Sequence, residues 1–347
     1  MNASGSRPRG RSFLLAALLP LLAAMSVSAA QPARRTARPA PQPATIRIAL
    51  LSDLPQWPAA EERVTALLDL LAERKLDLVL HAGGIKGDTE SCGDTVLQAR
   101  QHLLDQSPLP LVYVPGETDW AECHHPVNGN FDAVERLNRL RELFFPEDAT
   151  LGKHPRAVVR QSDQAMFRSF RENVRLSIDN VLLVGLNLPG DNNHYRSEGG
   201  RNGEFEDRRE ANHQWLARAF SLAQQRGMAG IVIIAHADPQ FGNGWEKRGK
   251  PTLLDGFMRR RPRDGYLEFK RQLRELAGRY RGPVLLVHAG SNGFHIDKPL
   301  RDAAGKPMPN FTRVALPPGS AAQWTELIVT PQASSPFTVV LKDGVSN

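Results

Sequence analysis

Cysteine is scarce in this chain. Its 347 residues contain only two, Cys92 and Cys123, so a single disulfide is the most it can form. No acid occurs in the first 44 positions, where Arg7, Arg9, Arg11, Arg34, Arg35 and Arg38 all lie. Of the formal net charge of +7, only +1 therefore belongs to the remainder. The basic balance is a property of the N-terminus and does not argue for a nucleic-acid partner. One basic cluster, MRRRPRDG at 258–265, reads as a solvated loop. The N-terminal apolar run, SFLLAALLPLLAAMSV, is short and interrupted by proline, so it does not predict a membrane span in the mature chain. No paired arginine precedes it, which argues against twin-arginine export. There is no repeat at a solenoid period.

The beginning of the chain instead follows the order of a secretory signal: basic MNASGSRPRGR, the apolar run, then small residues in SAAQ. We place the signal peptide at 1–30. Residues 31–44, rich in Pro, Ala and Arg and without aromatics, cannot bury a core and read as a disordered leader. Residues 45–347 are enough for one large domain. A periplasmic or secreted location follows, and in an oxidising compartment Cys92 and Cys123 suggest a disulfide. Two buried thiols are the alternative.

From residue 45 apolar strands alternate with amphipathic helices. TIRIALLSD, LDLVLHAGG and PLVYVPG are strands. The helices between and after them carry Val64, Leu67, Leu68 and Leu71; then Val96, Ala99 and Leu103, with Asp94 as cap; then Phe131, Val134, Leu137 and Leu140. This βαβαβα order predicts an α/β fold with a parallel part and right-handed crossovers. VRLSIDNVLLVGLNLPG is a hairpin turning at IDN. The polar stretch 189–207 reads as a long loop, a lid or a surface excursion. Two further helices carry Trp215, Leu216, Ala219, Phe220 and Leu222, and Tyr266, Phe269, Leu273 and Leu276. Strands GIVIIAHADPQF and GPVLLVHAGSN end in His236 and His288. The tail predicts antiparallel strands. Trp120, Trp215 and Trp324 are expected to pack.

Five strands thus end in polar clusters: Asp53; Gly84 with Asp88; Glu117, Thr118 and Asp119; His236 with Asp238; His288 with Asn292. In open α/β sheets ligands bind beyond the carboxyl ends of strands, so these clusters are candidates for one crevice. Carboxylates with imidazoles suit Mn, Fe or Zn.

In order and spacing the blocks HAGGIKGDTESC, VPGETDWAECHH, ERLNRLRELFFP and VLLVHAGSNGFHIDKPL resemble a secreted bacterial branch of the calcineurin-like metallophosphoesterases. The resemblance covers about residues 45–300. It implies a mixed-sheet α/β sandwich in four layers (αββα) and a metal crevice at the strand ends. Carried over residue by residue, Asp53, Glu117, Thr118, His236 and Asn292 fall at or beside metal-ligand positions, the third block having two registers. The family's catalytic histidine falls at Thr118 or Asp119, which makes Asp119 the candidate catalytic group. His288 and Asp88 are adjacent candidates. The departures are specific. A histidine position is Pro55, the bridging aspartate position is Gly84, and Gly290 and Asn292 stand where two histidines are expected.

What the resemblance implies is phosphoester hydrolysis on a divalent metal (Mn, Fe or Zn), with a phosphoester small molecule as substrate. The substituted positions reduce this to one ion or none. The alternative is a catalytically inactive relative that binds a ligand or partner in the envelope.

Overall fold

Strand periodicity sorts the side chains into three core layers. The computed structural model describes residues 45–196, 200–242, 263–290, 293–331, 333 and 335–345. The signal-like run, the leader, Asn292 and most of the basic cluster at 258–265 lie outside the described residues. The first sheet has the order β12-β11-β1-β2-β3. It is built from β1 (Ile46–Leu51), β2 (Leu78–His81), β3 (Leu111–Tyr113), β11 (Gln323–Val329) and β12 (Phe337–Asp343). The second runs β4-β5-β6-β7-β8-β10-β9. Its strands are β4 (Val159–Arg160), β5 (Val174–Ile178), β6 (Val181–Gly185), β7 (Gly230–Ile234), β8 (Val284–His288), β9 (His295–Asp297) and β10 (Phe311–Ala315). The run β1-β2-β3 is parallel, as is β6-β7-β8-β10. The other pairings are antiparallel, so both sheets are mixed.

Successive residues on a strand face opposite ways. Ile46, Ile48 and Leu50 of β1 join Leu78 and Leu80 of β2 and Val232 and Ile234 of β7 in a core between the sheets. Ala49 and Leu51 turn outward, onto helices α1 (Glu61–Glu73), α2 (Asp94–Asp105) and α3 (Ala133–Phe144). Leu182, Val184, Ile231 and Ile233 turn outward on the other sheet, onto α4 (Gly203–Gln225) and α5 (Leu267–Arg279). The layers are therefore helices, sheet, sheet, helices, as expected. Each fully buried aliphatic side chain here contributes about 2 kcal/mol by transfer. An aspartate at Leu80, in the middle core, would bury an unpaired charge and break the stack.

The helices match the sequence expectation in place and differ in detail. α1 buries Val64, Leu67, Leu68 and Leu71. Asp132 caps α3 by accepting the Glu135 N–H at 2.8 Å. Asp94 is not a cap. Gly93 holds that position, and Asp94 instead reaches Arg136 at 2.7 Å and Arg139 at 3.2 Å, tying α2 to α3. The inner face of α2 is Leu97, Arg100, Leu103 and Leu104, with Ala99 exposed. Arg100 rotates the stripe because its guanidinium turns inward to Glu61, Glu90 and the Ile85 carbonyl. Val134 is likewise exposed, while Arg136 and Arg141 are buried. Hydrophobic period alone does not register an arginine that buries by pairing.

Two further expectations are corrected. The long polar loop is shorter, because α4 already begins at Gly203. In the tail, β10 runs parallel to β8, and only β9, β11 and β12 are antiparallel additions. The hairpin at IDN is present, with Ile178 paired to Val181 and Asp179 in the left-handed region.

Candidate functional site

The carboxyl ends of β1, β2, β3 and β7 converge where the two sheets meet. Asp53 follows β1 at a positive φ of 55°, and its N–H bonds the Gly83 carbonyl at 2.8 Å. Gly84 follows β2 with φ 75°, and a Cβ there would collide with the Asp53 carboxylate. A side chain at Gly84 is excluded twice, by backbone conformation and by space.

Glu117 and His236 lie in direct contact, with His236 Nε2 2.6 Å from Glu117 Oε2. The same oxygen accepts the Gly190 N–H at 2.8 Å. The other ring nitrogen, His236 Nδ1, lies 2.6 Å from the Ala82 carbonyl. Both nitrogens therefore face acceptors, which is the bonding of an imidazolium. Burial acts to lower the His236 pKa, but the charge and hydrogen bond of Glu117 outweigh it and raise the group well above the usual range. Burial acts to raise Glu117, and His236 and the Gly190 N–H outweigh it downward. Asp53 shares this crevice. Burial raises its carboxyl to about 6, against the pull of His236 and Ser52.

Asp119 spends both oxygens on the loop. They accept from Tyr113 Oη at 2.7 Å and from the N–H groups of Gly116 at 2.7 Å, Ile85 at 2.8 Å and Gly84 at 3.1 Å. The Thr118 hydroxyl donates to it as well, at 3.2 Å. With its side chain fully buried, Asp119 pins the β2 and β3 loops together. Thr118 thus turns its hydroxyl to Asp119. Asp88 is exposed, and its carbonyl accepts from Asn128 Nδ2 at 2.6 Å. His288 is buried, with Nδ1 2.6 Å from the Ala289 carbonyl and Nε2 4.0 Å from Asp238 Oδ1. Cys92 and Cys123 form a disulfide behind this loop, both fully buried.

Two contributors escaped the sequence reading. His81 is buried at the end of β2; Nε2 donates to the Leu54 carbonyl at 2.9 Å and Nδ1 accepts the Gly83 N–H at 3.2 Å. Burial lowers its pKa to about 4, so it is a neutral brace of the β1 and β2 loops. The final histidine of the LVLH strand, directly before AGG, was the available signal. The second is Gly190, which opens a left-handed turn through Asp191, Asn192, Asn193 and His194. The Asp-Asn-Asn run was its signal, since these residues tolerate that region best.

A catalytic metal site needs about three good protein ligands. Pro55, Gly84 and Gly290 offer none. Asp119 and Thr118 bond each other and the loop, and Glu117 and His236 bond each other. Asp53 remains as the main donor. Among the described residues no group of three or more His, Cys, Asp or Glu is arranged to hold a metal ion. The described residues do not fit a resident metal.

No protein-family model matches the chain, and no curated protein matches it. Solved structures do. GAP50, the anchor in the inner membrane complex of Plasmodium, is similar over 87% of this chain and 90% of its own, at 12% identity and a TM-score of 0.46. A purple acid phosphatase of yellow lupin is similar over 83% of this chain and 50% of its own, at 8% identity and a TM-score of 0.47. A dimetal phosphatase of Danio rerio is similar over 86% of this chain and 99% of its own, at 10% identity and a TM-score of 0.46. These likenesses concern the fold and carry nothing about the chemistry of the crevice.

Proposed function

We propose that this chain is an exported protein of the calcineurin-like phosphoesterase type whose crevice binds a ligand or a partner without turnover. One observation carries the reading. Apart from Asp53, the described residues at the expected ligand positions either lack donors or already bond one another, as Glu117 and His236 do at 2.6 Å. Export is supported by the signal-like N-terminus at 1–30 and by the Cys92–Cys123 disulfide, which suits an oxidising compartment. The single domain at 45–347 and the absence of a nucleic-acid partner belong to the same proposal.

A second reading has one observation in its favour: Asp53, Glu117 and His236 share one crevice. It is hydrolysis of a small phosphoester with those three residues around a single Mn, Fe or Zn ion. One assay separates the two. The mature chain is incubated with aryl phosphate mono- and diesters, with and without added Mn, Fe or Zn. The expected result is no release of the phenol above a protein-free blank. Metal-dependent release that disappears in Asp53→Ala would establish the second reading instead.

A further inference from the structure

The Glu117–His236 pair belongs to both halves of the molecule. His236 follows β7 of the seven-stranded sheet, whereas Glu117 follows β3 and Ala82 follows β2, both of the five-stranded sheet. His236 therefore reaches across the sandwich with both ring nitrogens, 2.6 Å to Ala82 O and 2.6 Å to Glu117 Oε2. Gly190, which follows β6, returns the contact from the far sheet through its N–H at 2.8 Å. Three bonds thus cross between the sheets within one small volume.

The backbone has closed around them. A Cβ at Gly116 would lie 2.6 Å from Gly84 N and 2.7 Å from His236 Nδ1. A Cβ at Gly84 would collide with Asp53, and one at Gly290 would collide with the Leu316 carbonyl. At Gly84 and Gly290, where ligand side chains are expected, the Asp53 carboxylate and the Leu316 carbonyl occupy that room. Those ligands cannot simply be restored by substitution.

We infer that Glu117 and His236 form a metal-independent clamp between the two sheets, in the place a metal ion would take. A divalent cation neither binds between these residues nor is needed to hold the crevice together. This deepens the non-hydrolytic reading of the crevice by assigning the two residues the work of joining the sheets.

The test combines metal titration with thermal unfolding of the mature chain. In the wild type, elemental analysis after purification is expected to find no stoichiometric metal, calorimetric titration with Mn or Zn no heat at the crevice, and a chelator no change in Tm. Removing one partner of a buried pair strands the other, so Glu117→Gln and His236→Gln are each expected to lower Tm by about 5 °C or more. Glu117→Gln/His236→Gln should lose less than the sum of the singles, because the two act as a unit. About one equivalent of bound metal, a Tm raised by Mn or Zn, or single variants with unchanged Tm would each overturn the clamp. If the single variants do not fold, the wild-type metal arms still decide. The outcomes separate from those of the functional reading. Metal-free turnover of an ester would end that reading and leave the clamp intact, whereas metal binding without turnover would do the reverse.

Discussion

Arg208, buried in the second turn of α4, grips Asn193 by both its side-chain oxygen and its backbone carbonyl. Asn193 is the third of four successive left-handed residues, from Asp191 to His194. Such residues cost about 1–2 kcal/mol each, less for Asn and Asp. The turn persists because its bonds outweigh this. Asn193 Nδ2 donates to the Gly265 carbonyl at 3.0 Å, and Asn192 Oδ1 accepts the Gly265 N–H at 2.8 Å. Tyr266 Oη donates to the Pro189 carbonyl at 2.9 Å. Arg208 also pairs with Glu204 and lies over Trp120, 5.5 Å from the ring centroid. The consequence reaches the crevice, since the turn begins at the Gly190 N–H that bonds Glu117.

Arg208→Ala should therefore destabilise the fold by about 3–5 kcal/mol, because it leaves Glu204 buried without its guanidinium. Arg208→Lys should recover little, since one ammonium cannot reproduce the forked contact to Asn193 and Glu204. The measurement is the denaturation midpoint of both variants. A lysine variant as stable as the wild type would remove the forked contact from the account.

Asp119→Asn probes the loop staple. Five donors converge on this carboxylate, and an amide would present its own N–H groups to at least some of them. Hydrogen bonds to a charged group contribute about 1.5–3 kcal/mol, so a loss of that size is expected on chemical denaturation. An unchanged midpoint would mean that the loop holds without the carboxylate.

The sandwich was legible because strand and helix periods carried it. Ile46, Ile48 and Leu50 alternate with Ala49 and Leu51, and Val64, Leu67, Leu68 and Leu71 follow the helical spacing, so an α/β fold could be anticipated, the four layers being what the resemblance added. The fine fit was not legible. Arg100, Arg136 and Arg141 are buried by pairing with carboxylates distant in sequence, and Arg208 by Glu204 one turn away together with Asn193, and hydropathy reads each of them as surface. At the site, the strand ends pointed to Asp53, Glu117, Asp119 and His236, which follow β1, β3 and β7 in the structure. That Glu117 and His236 bond each other depends on side-chain direction between segments 119 residues apart. The left-handed turn that supplies Gly190 depends likewise on Arg208 and Gly265, which no local pattern connects to it.

Stability should vary with pH in a way that separates the crevice residues. His236 is raised above its ordinary 6.5, facing Glu117, Asp53, Asp119 and the Ala82 carbonyl. Its contribution is fully present below 6.5 and is lost as pH rises toward the raised value. Glu117 is lowered from its ordinary 4.5, so its contribution is present above 4.5 and is lost only in stronger acid. Asp53 acts in the opposite sense. Raised from 3.8 to about 6, it withdraws stability as pH climbs through that interval. Below pH 6.5 the buried His81 and His288, both lowered to about 4, gain stability as pH rises and oppose Asp53, so the fall of the denaturation midpoint is expected between pH 6.5 and 9. His236→Gln should flatten that alkaline part, and Asp53→Asn should let the midpoint rise more steeply between pH 4 and 6.5. A profile that rises from pH 6.5 to 9 would contradict the imidazolium at His236.

The disulfide gives the last prediction. Cys92 and Cys123 are 31 residues apart and fully buried. Closing a loop of that length restricts the unfolded chain by about 3–4 kcal/mol on the entropy account. Between the two cysteines lie Asp119, Glu117 and the helix α2, so the bridge holds the ends of β2 and β3 in the register that Asp119 requires. In the native protein without reductant a thiol reagent should count no free thiols, and two should appear after unfolding with reductant. Cys92→Ser/Cys123→Ser should unfold at a lower denaturant concentration while remaining cooperative, because α2, α3 and the sheet core do not depend on the bridge. Free thiols in the oxidised native protein would remove the disulfide, and with it the support it lends to export.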